Sequence, residues 1–391
     1  GTDRYGNDVS VLQTLHETWE TAPLKDAGNL YPQGLKFYFG EGENEIEISK
    51  ISGKLRVSEI IIKPAPEILT YEEYIKQFEK KNISYLCRIE AEETEYKNSS
   101  SINRGTSRDA GVLPFSKTKL KLNVMGDDSY QDPGEAITWK ADVPEAGLYF
   151  LTFKVKLTRQ NTTSYRTLYI NGEIPFREAE HLVFPYGTGW QNITLRGFGE
   201  EPFMVYLEPG DEITLAVDST LFINVNRKLR DLISEMSELG LNVTKLTRNN
   251  VDKNIDWDME GHFPDLKEKL ARWQEELEEV ISVLKDLYGS KYDAQIVQEI
   301  KAAKAKIKKI SEDIDELPRR LGLLSRGASS AVQLLSAQLD PVLQQPLIID
   351  AFYIHTEGEK LSRAEASFWK KLWVAVSRFF LSFFDHAYSD K

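Results

Sequence analysis

The sequence predicts an α+β chain of several domains. An antiparallel β-sandwich is interrupted by an antiparallel helical coiled-coil insertion and preceded by a partial second sandwich. Three observations carry this. Between Gly134 and Ser219, short runs alternate β-branched or aromatic residues with polar ones, and turn residues separate them. Residues 224–345 then change to helical periodicity, and Pro346–His355 returns to an apolar strand pattern that supplies the strand the sandwich still lacks. A stretch before residue 66 repeats the pattern of the later strands.

The elements follow in order. Residues 1–34 are polar and read as loop. Leu35–Phe39, Glu45–Ile48 and Lys54–Ile62 read as three strands. Phe37–Ile48 matches Val205–Leu215 in turn position and alternation, and Val57–Ile62 matches Ile349–Ile354. This makes residues 1–66 a partial sandwich, truncated at its N-terminus, whose strands need partners elsewhere. Residues 67–82 form a bridging helix, with Thr70 and Glu73 at capping-box spacing. Tyr85–Glu92 starts the second sandwich, over residues 83–223, and Lys97–Lys117 is a Ser-rich loop.

In the arm, Val225, Leu229, Leu232, Met236, Leu239, Val243 and Leu246 recur at spacings of four and three. The pattern breaks over Asn249–Pro264, resumes from Leu266 to Leu287, turns at Gly289-Ser290, runs back from Ile296 to Leu317, and loosens from Leu321 to Leu339. A seam of this kind must be buried against another helix, and the tight turn makes the middle pair antiparallel neighbours. The partners are the arm's own helices or a helix of another protein. Residues 346–358 close the sandwich. Residues 359–391 end in an amphipathic helix in which Phe368, Trp369, Leu372, Trp373, Val376, Phe379, Phe380, Phe383 and Phe384 oppose Lys370, Lys371 and Arg378. Such a helix packs on this chain or on a following domain, or lies on a membrane surface.

Composition narrows the function. A net charge of −12 over 391 residues disfavours nucleic acid or an anionic membrane as the main partner. The single cysteine, Cys87, rules out an internal disulfide and a Cys-rich zinc site, and it reads as a buried, inert thiol. No run of apolar residues is long enough to span a bilayer. Asn-x-Ser/Thr triplets at Asn82, Asn98, Asn161, Asn192 and Asn242 are expected by chance. The five histidines, His16, His181, His262, His355 and His386, are scattered without metal-ligand spacing, and no phosphate loop, nucleophile elbow or His-Glu-x-x-His motif is present. With 61 Asp and Glu, no chosen carboxylate pair singles itself out as a glycosidase dyad.

Two features remain. Glu90 and Glu92 lie in the opening strand and Asp350 in the closing one. If those strands pair, three hard oxygen donors converge, which suits Ca²⁺; otherwise they are exposed strand carboxylates. The loop Phe184–Gln191 places Tyr186 and Trp190 among glycines, beside Gln191 and Asn192. Its aromatics either stack on a sugar ring, with the two amides as hydrogen-bond partners, or cap the sandwich core.

Thr70–Ile75, Ile89–Glu92, Gly147–Tyr149, Arg166–Glu178, Leu317–Arg320 and Gln345–Asp350, taken together, resemble the N-terminal region of large extracellular solute-binding proteins of Gram-positive ABC-type sugar importers. The sandwich portion is similar to calcium-dependent carbohydrate-binding jelly rolls that begin with the Glu-Ala-Glu strand. The resemblance covers nearly the whole chain. It implies a cell-surface lipoprotein with another sandwich half before Gly1, a solute-binding domain after Lys391 and a membrane transporter as partner. It also implies a structural calcium at Glu90, Glu92 and Asp350. The expected function is that of a non-catalytic accessory module that binds glycan. The alternatives are an assembly module acting through its arm and a glycoside-active enzyme fragment.

Overall fold

In the computed structural model, residues 18–384 are described, except 20, 27, 32–33, 50–55, 66, 82, 118, 249–253 and 256. The side chains of residues 382–384 also lie outside the description, which leaves Phe383 and Phe384 untested, together with His16, His386, Lys54, Leu55 and residues 1–17.

The alternating runs form two stacked antiparallel sheets. The strands in chain order are β1 (Leu86–Glu90), β2 (Tyr96–Lys97), β3 (Arg104–Gly105), β4 (Val124–Asp127), β5 (Ala136–Lys140), β6 (Gly147–Lys156), β7 (Thr163–Ile170), β8 (Leu182–Pro185), β9 (Gln191–Thr194), β10 (Met204–Leu207), β11 (Glu212–Val217) and β12 (Leu347–His355). One sheet runs β2-β5-β11-β7-β8. In the other, β12 is central. It pairs with β6 along one edge and with β4 and β1 along the other, while β6 carries β9 and β10 outside it.

The first and last strands of the sandwich therefore lie side by side, Glu90 opposite Ala351. β11 and β12, separated in sequence by the helical arm, sit in opposite sheets but bury the same core, Ile213 and Leu215 from one and Phe352 and Ile354 from the other. Phe153 stacks on Phe352 at 5.1 Å. Trp139, fully buried, donates its indole N–H to Ala91 O at 3.0 Å.

The arm is a bundle of amphipathic helices. After the short α1 (Tyr71–Ile75) the helices are α2 (Ile223–Leu246), α3 (Met259–His262), α4 (Leu266–Tyr288), α5 (Gln295–Ser311), α6 (Leu321–Leu324), α7 (Ala331–Ser336), α8 (Leu339–Leu343) and, beyond the arm, α9 (Phe368–Phe384). α4 and α5 form an antiparallel hairpin across Gly289, whose φ of 56° closes the helix without a Cβ penalty. α2 packs on α4, and the broken fourth segment, α6 to α8, packs on α2 and α5. The predicted seam residues Leu229, Met236, Trp273, Leu277, Ile300 and Ile307 are all buried within the bundle. The seams are used up inside the arm.

The bundle rests on the outer face of β7. Tyr165 joins its core beside Phe222, and Thr163 donates its hydroxyl to Tyr288 O at 2.8 Å. Arg166, fully buried and stacked 4.5 Å from the Tyr130 ring, donates to the carbonyls of Tyr130, Tyr165 and Gln345. It thereby pins the point where the chain returns from the arm.

The partial second sandwich is not formed by the described residues. Residues 34–49 and 56–62 contain no strand, and Phe37, Tyr38, Ile46, Ile48, Val57 and Ile60–Ile62 are exposed. The reason is physical: a strand-like sequence becomes a strand only where a neighbour takes up its backbone N–H and C=O groups, and none of the described strands pairs with this segment. The bridging helix is one turn and a half, with the Thr70–Glu73 capping box formed, and Tyr71 and Tyr74 pack on Phe176.

Candidate functional site

The outward face of the β12 sheet carries the carboxylates singled out in the sequence. β12 slips register against β6 between Ile349 and Ala351, so Asp350 is the extra residue of a bulge. The bulge delivers its carboxylate, fully buried, to Lys154 of β6 at 2.7 Å. Arg88 of β1 approaches the same oxygen at 3.4 Å and also pairs with Glu90, and the Leu113 N–H donates to Asp350 at 3.3 Å. Burial lifts the Asp350 carboxyl above its ordinary range, and Lys154 and Arg88 only partly oppose that shift. Glu92 is pushed up to about 7, first by burial and then by the neighbouring charges of Asp350 and Glu93. Glu90 Oε2 and Glu92 Oε2 are buried without a hydrogen-bond partner.

Arg88 joins Glu90 to Asp350, and Glu92 feels the Asp350 charge, but as placed the three leave no open set of oxygens for a calcium ion. Ca²⁺ takes six to eight oxygens at roughly 2.3–2.6 Å. Asp350 already faces two protein cations, and among the described residues no group of three or more His, Cys, Asp or Glu is arranged to hold a metal ion.

The aromatic loop is packed rather than open. Trp190 is 5% exposed and packs with Val112 and Val124 beneath the Lys154 ammonium, 5.7 Å from its ring. Tyr186 packs against the sandwich core. Gln191 donates to Pro185 O at 3.2 Å and Asn192 to Ser362 O at 2.7 Å. The segment after β12 lies over this loop, so that a side chain at Gly189 would collide with Glu365. The Trp190 ring is therefore committed to packing and the Gln191 and Asn192 amide nitrogens to backbone carbonyls, while Asn192 Oδ1 is buried without a partner.

A different site opens at one end of the sandwich, and nothing in the sequence pattern pointed to it. Its walls come from the turns before β5 and after β2 and from Asn29. A recess of 290 Å³ is lined by Asn29, Asn98, Ser99, Ser101, Asp132 and Glu135 among others. Asn98 bridges its walls, donating to Gly134 O at 2.7 Å and accepting from Ala136 N at 2.8 Å. Glu135 accepts from the Gln131 and Asp132 N–H groups at 2.9 and 3.0 Å and from the Ser101 hydroxyl. Gly134, at φ 74°, permits the close approach of Asn29. Tyr96, the first residue of β2 and two before Asn98, is exposed. Asn98 and Glu135 are thus satisfied within the walls and shape the recess, and Asp132, whose Oδ1 accepts from Gln344 at 3.2 Å, is the lining carboxylate with an oxygen left for a polyhydroxylated ligand.

A family model described as bacterial solute-binding protein, 4-helix bundle domain, matches residues 224–342, which is the arm. No curated protein matches the chain. Among solved structures, a cycloisomaltooligosaccharide glucanotransferase of Paenibacillus sp., complexed with cycloisomaltoheptaose, is 27% identical over 36% of this chain and 17% of its own, with a TM-score of 0.25. A family 35 carbohydrate-binding module of Clostridium thermocellum is 15% identical over 34% of this chain and 86% of its own, with a TM-score of 0.25. A mannanase of Podospora anserina with a module of the same family is 14% identical over 35% of this chain and 25% of its own, with a TM-score of 0.22. The chain thus spans less than a fifth of the glucanotransferase. What fold and family match define is a β-sandwich that carries, between its last two strands, a helical bundle matching a solute-binding-protein domain.

Proposed function

We propose that the chain is a non-catalytic accessory module of a bacterial cell-surface solute-binding protein, and that its sandwich takes a carbohydrate in the recess between Asn98 and Glu135. The observation that carries the reading is the inserted bundle, because its family model describes a domain of solute-binding proteins. The recess adds the binding chemistry. The arm serves as a rigid spacer, because its apolar seams are consumed by its own helices.

The test is calorimetric titration of the full chain against a panel of neutral and acidic oligosaccharides. At least one should bind. Asp132→Ala should weaken that binding by about tenfold or more, the loss of one charge-assisted hydrogen bond. Trp190→Phe should leave it unchanged. Silence across the panel removes the carbohydrate claim.

A further inference from the structure

We propose that Lys154 is a resident cation occupying the place a divalent metal would take in this sandwich, so that the fold is held together without calcium.

Lys154 lies in the middle of β6, between two neighbouring strands, and is 3% exposed. A lysine is almost never buried in that way without a specific partner. Here the partners are complete. The ammonium faces Asp350 at 2.7 Å, donates to Gly111 O, and sits over the face of Trp190. The bulge at Asp350 turns a strand residue out of the core pattern and toward this one ammonium. Arg88 closes the other side against Glu90 and Asp350.

A divalent ion on Asp350 would share a carboxylate whose Oδ2 already has a cation 2.7 Å away. Two positive charges on one buried carboxylate repel strongly. The lysine and the metal are therefore alternatives. The unpartnered oxygens of Glu90 and Glu92 are what remains of an acidic cluster whose counter-charge is supplied by the chain itself. This inference is independent of the carbohydrate reading.

The experiment uses the full chain and thermal melting followed by calorimetry. Wild-type protein should melt at the same temperature in EDTA and in millimolar calcium, and titration with calcium chloride should give no stoichiometric heat. Lys154→Met should lower the melting temperature by roughly 10 °C, because it leaves Asp350 buried with only the more distant Arg88. Should that variant fail to fold, the double variant Lys154→Met/Asp350→Leu, which removes both charges, should fold again. A wild-type melting temperature that falls in EDTA, one calcium bound per chain, a Lys154→Met protein that melts like wild type, or a double variant no better than the single one would each overturn the proposal.

Discussion

Glu92 shows how one side chain makes stability depend on pH. Its carboxyl is held up to about 7, against 4.5 for the free group, because burial disfavours the charged form. Between those values the unfolded chain gives up its proton while the folded chain keeps it, so stability falls as pH rises through that window and levels off above it. Glu92→Gln should remove this loss. We expect it to be neutral near pH 4 and stabilising by on the order of 1 kcal/mol at pH 8, after allowance for partial solvent screening, as read from urea denaturation at the two pH values. Arg166 is the opposite case, a buried cation whose partners are carbonyls. Arg166→Met leaves the carbonyls of Tyr130, Tyr165 and Gln345 without that donor and should cost about 3 kcal/mol. Arg166→Lys should recover little, since an ammonium cannot reproduce the planar fork. Glu92 was singled out in the sequence as an oxygen donor, but its burial was not legible there. Arg166 stood in a strand pattern like any polar residue, and its burial depends on where the returning chain at Gln345 lies.

At the scale of elements, the arm was the most legible part. Spacings of three and four put Leu229, Trp273 and Ile300 on seams, and those residues are buried in the bundle. Trp273 also donates its indole N–H to Glu235 of α2 at 2.8 Å, linking α4 to α2. Trp273→Ala should lower stability by about 3–5 kcal/mol, measured by denaturation of the full chain. The strands were legible where they were long and alternating, as in β5, β6, β7, β11 and β12. The short β2, β3 and β9 were not, because two to four residues carry no period, and their partners define them. The N-terminal runs failed in the reverse sense: their alternation is good, but no described strand pairs with them.

For the molecule as a whole, the junction between sandwich and bundle is held by a buried charged pair. Asp218, buried at the end of β11, holds His181 at 2.5 Å and accepts from Thr220 at the start of the arm. Burial alone would raise Asp218, and the bonds from His181 and Thr220 bring it below its ordinary range. Burial would lower His181, and Asp218 more than reverses that, raising it above 6.5. The pair's contribution is therefore fully present between 3.8 and 6.5, is lost as pH rises through the raised His181 value, and is lost as pH falls through the lowered Asp218 one. His181→Asn, which tolerates the positive φ of 57° at this position, should flatten the pH dependence of the melting temperature on the alkaline side of 6.5.

The sequence by itself determined the period of every long element and the position of the interruption between Val217 and Leu347. These follow from local patterns and from which faces must be buried. Only the tertiary structure decided what the carboxylates face, that Trp190 is covered, and where the recess opens. Those outcomes depend on a one-residue bulge at Asp350, on a lysine two strands away from Glu90, and on loops that meet from distant parts of the chain. No spacing along the chain encodes such meetings.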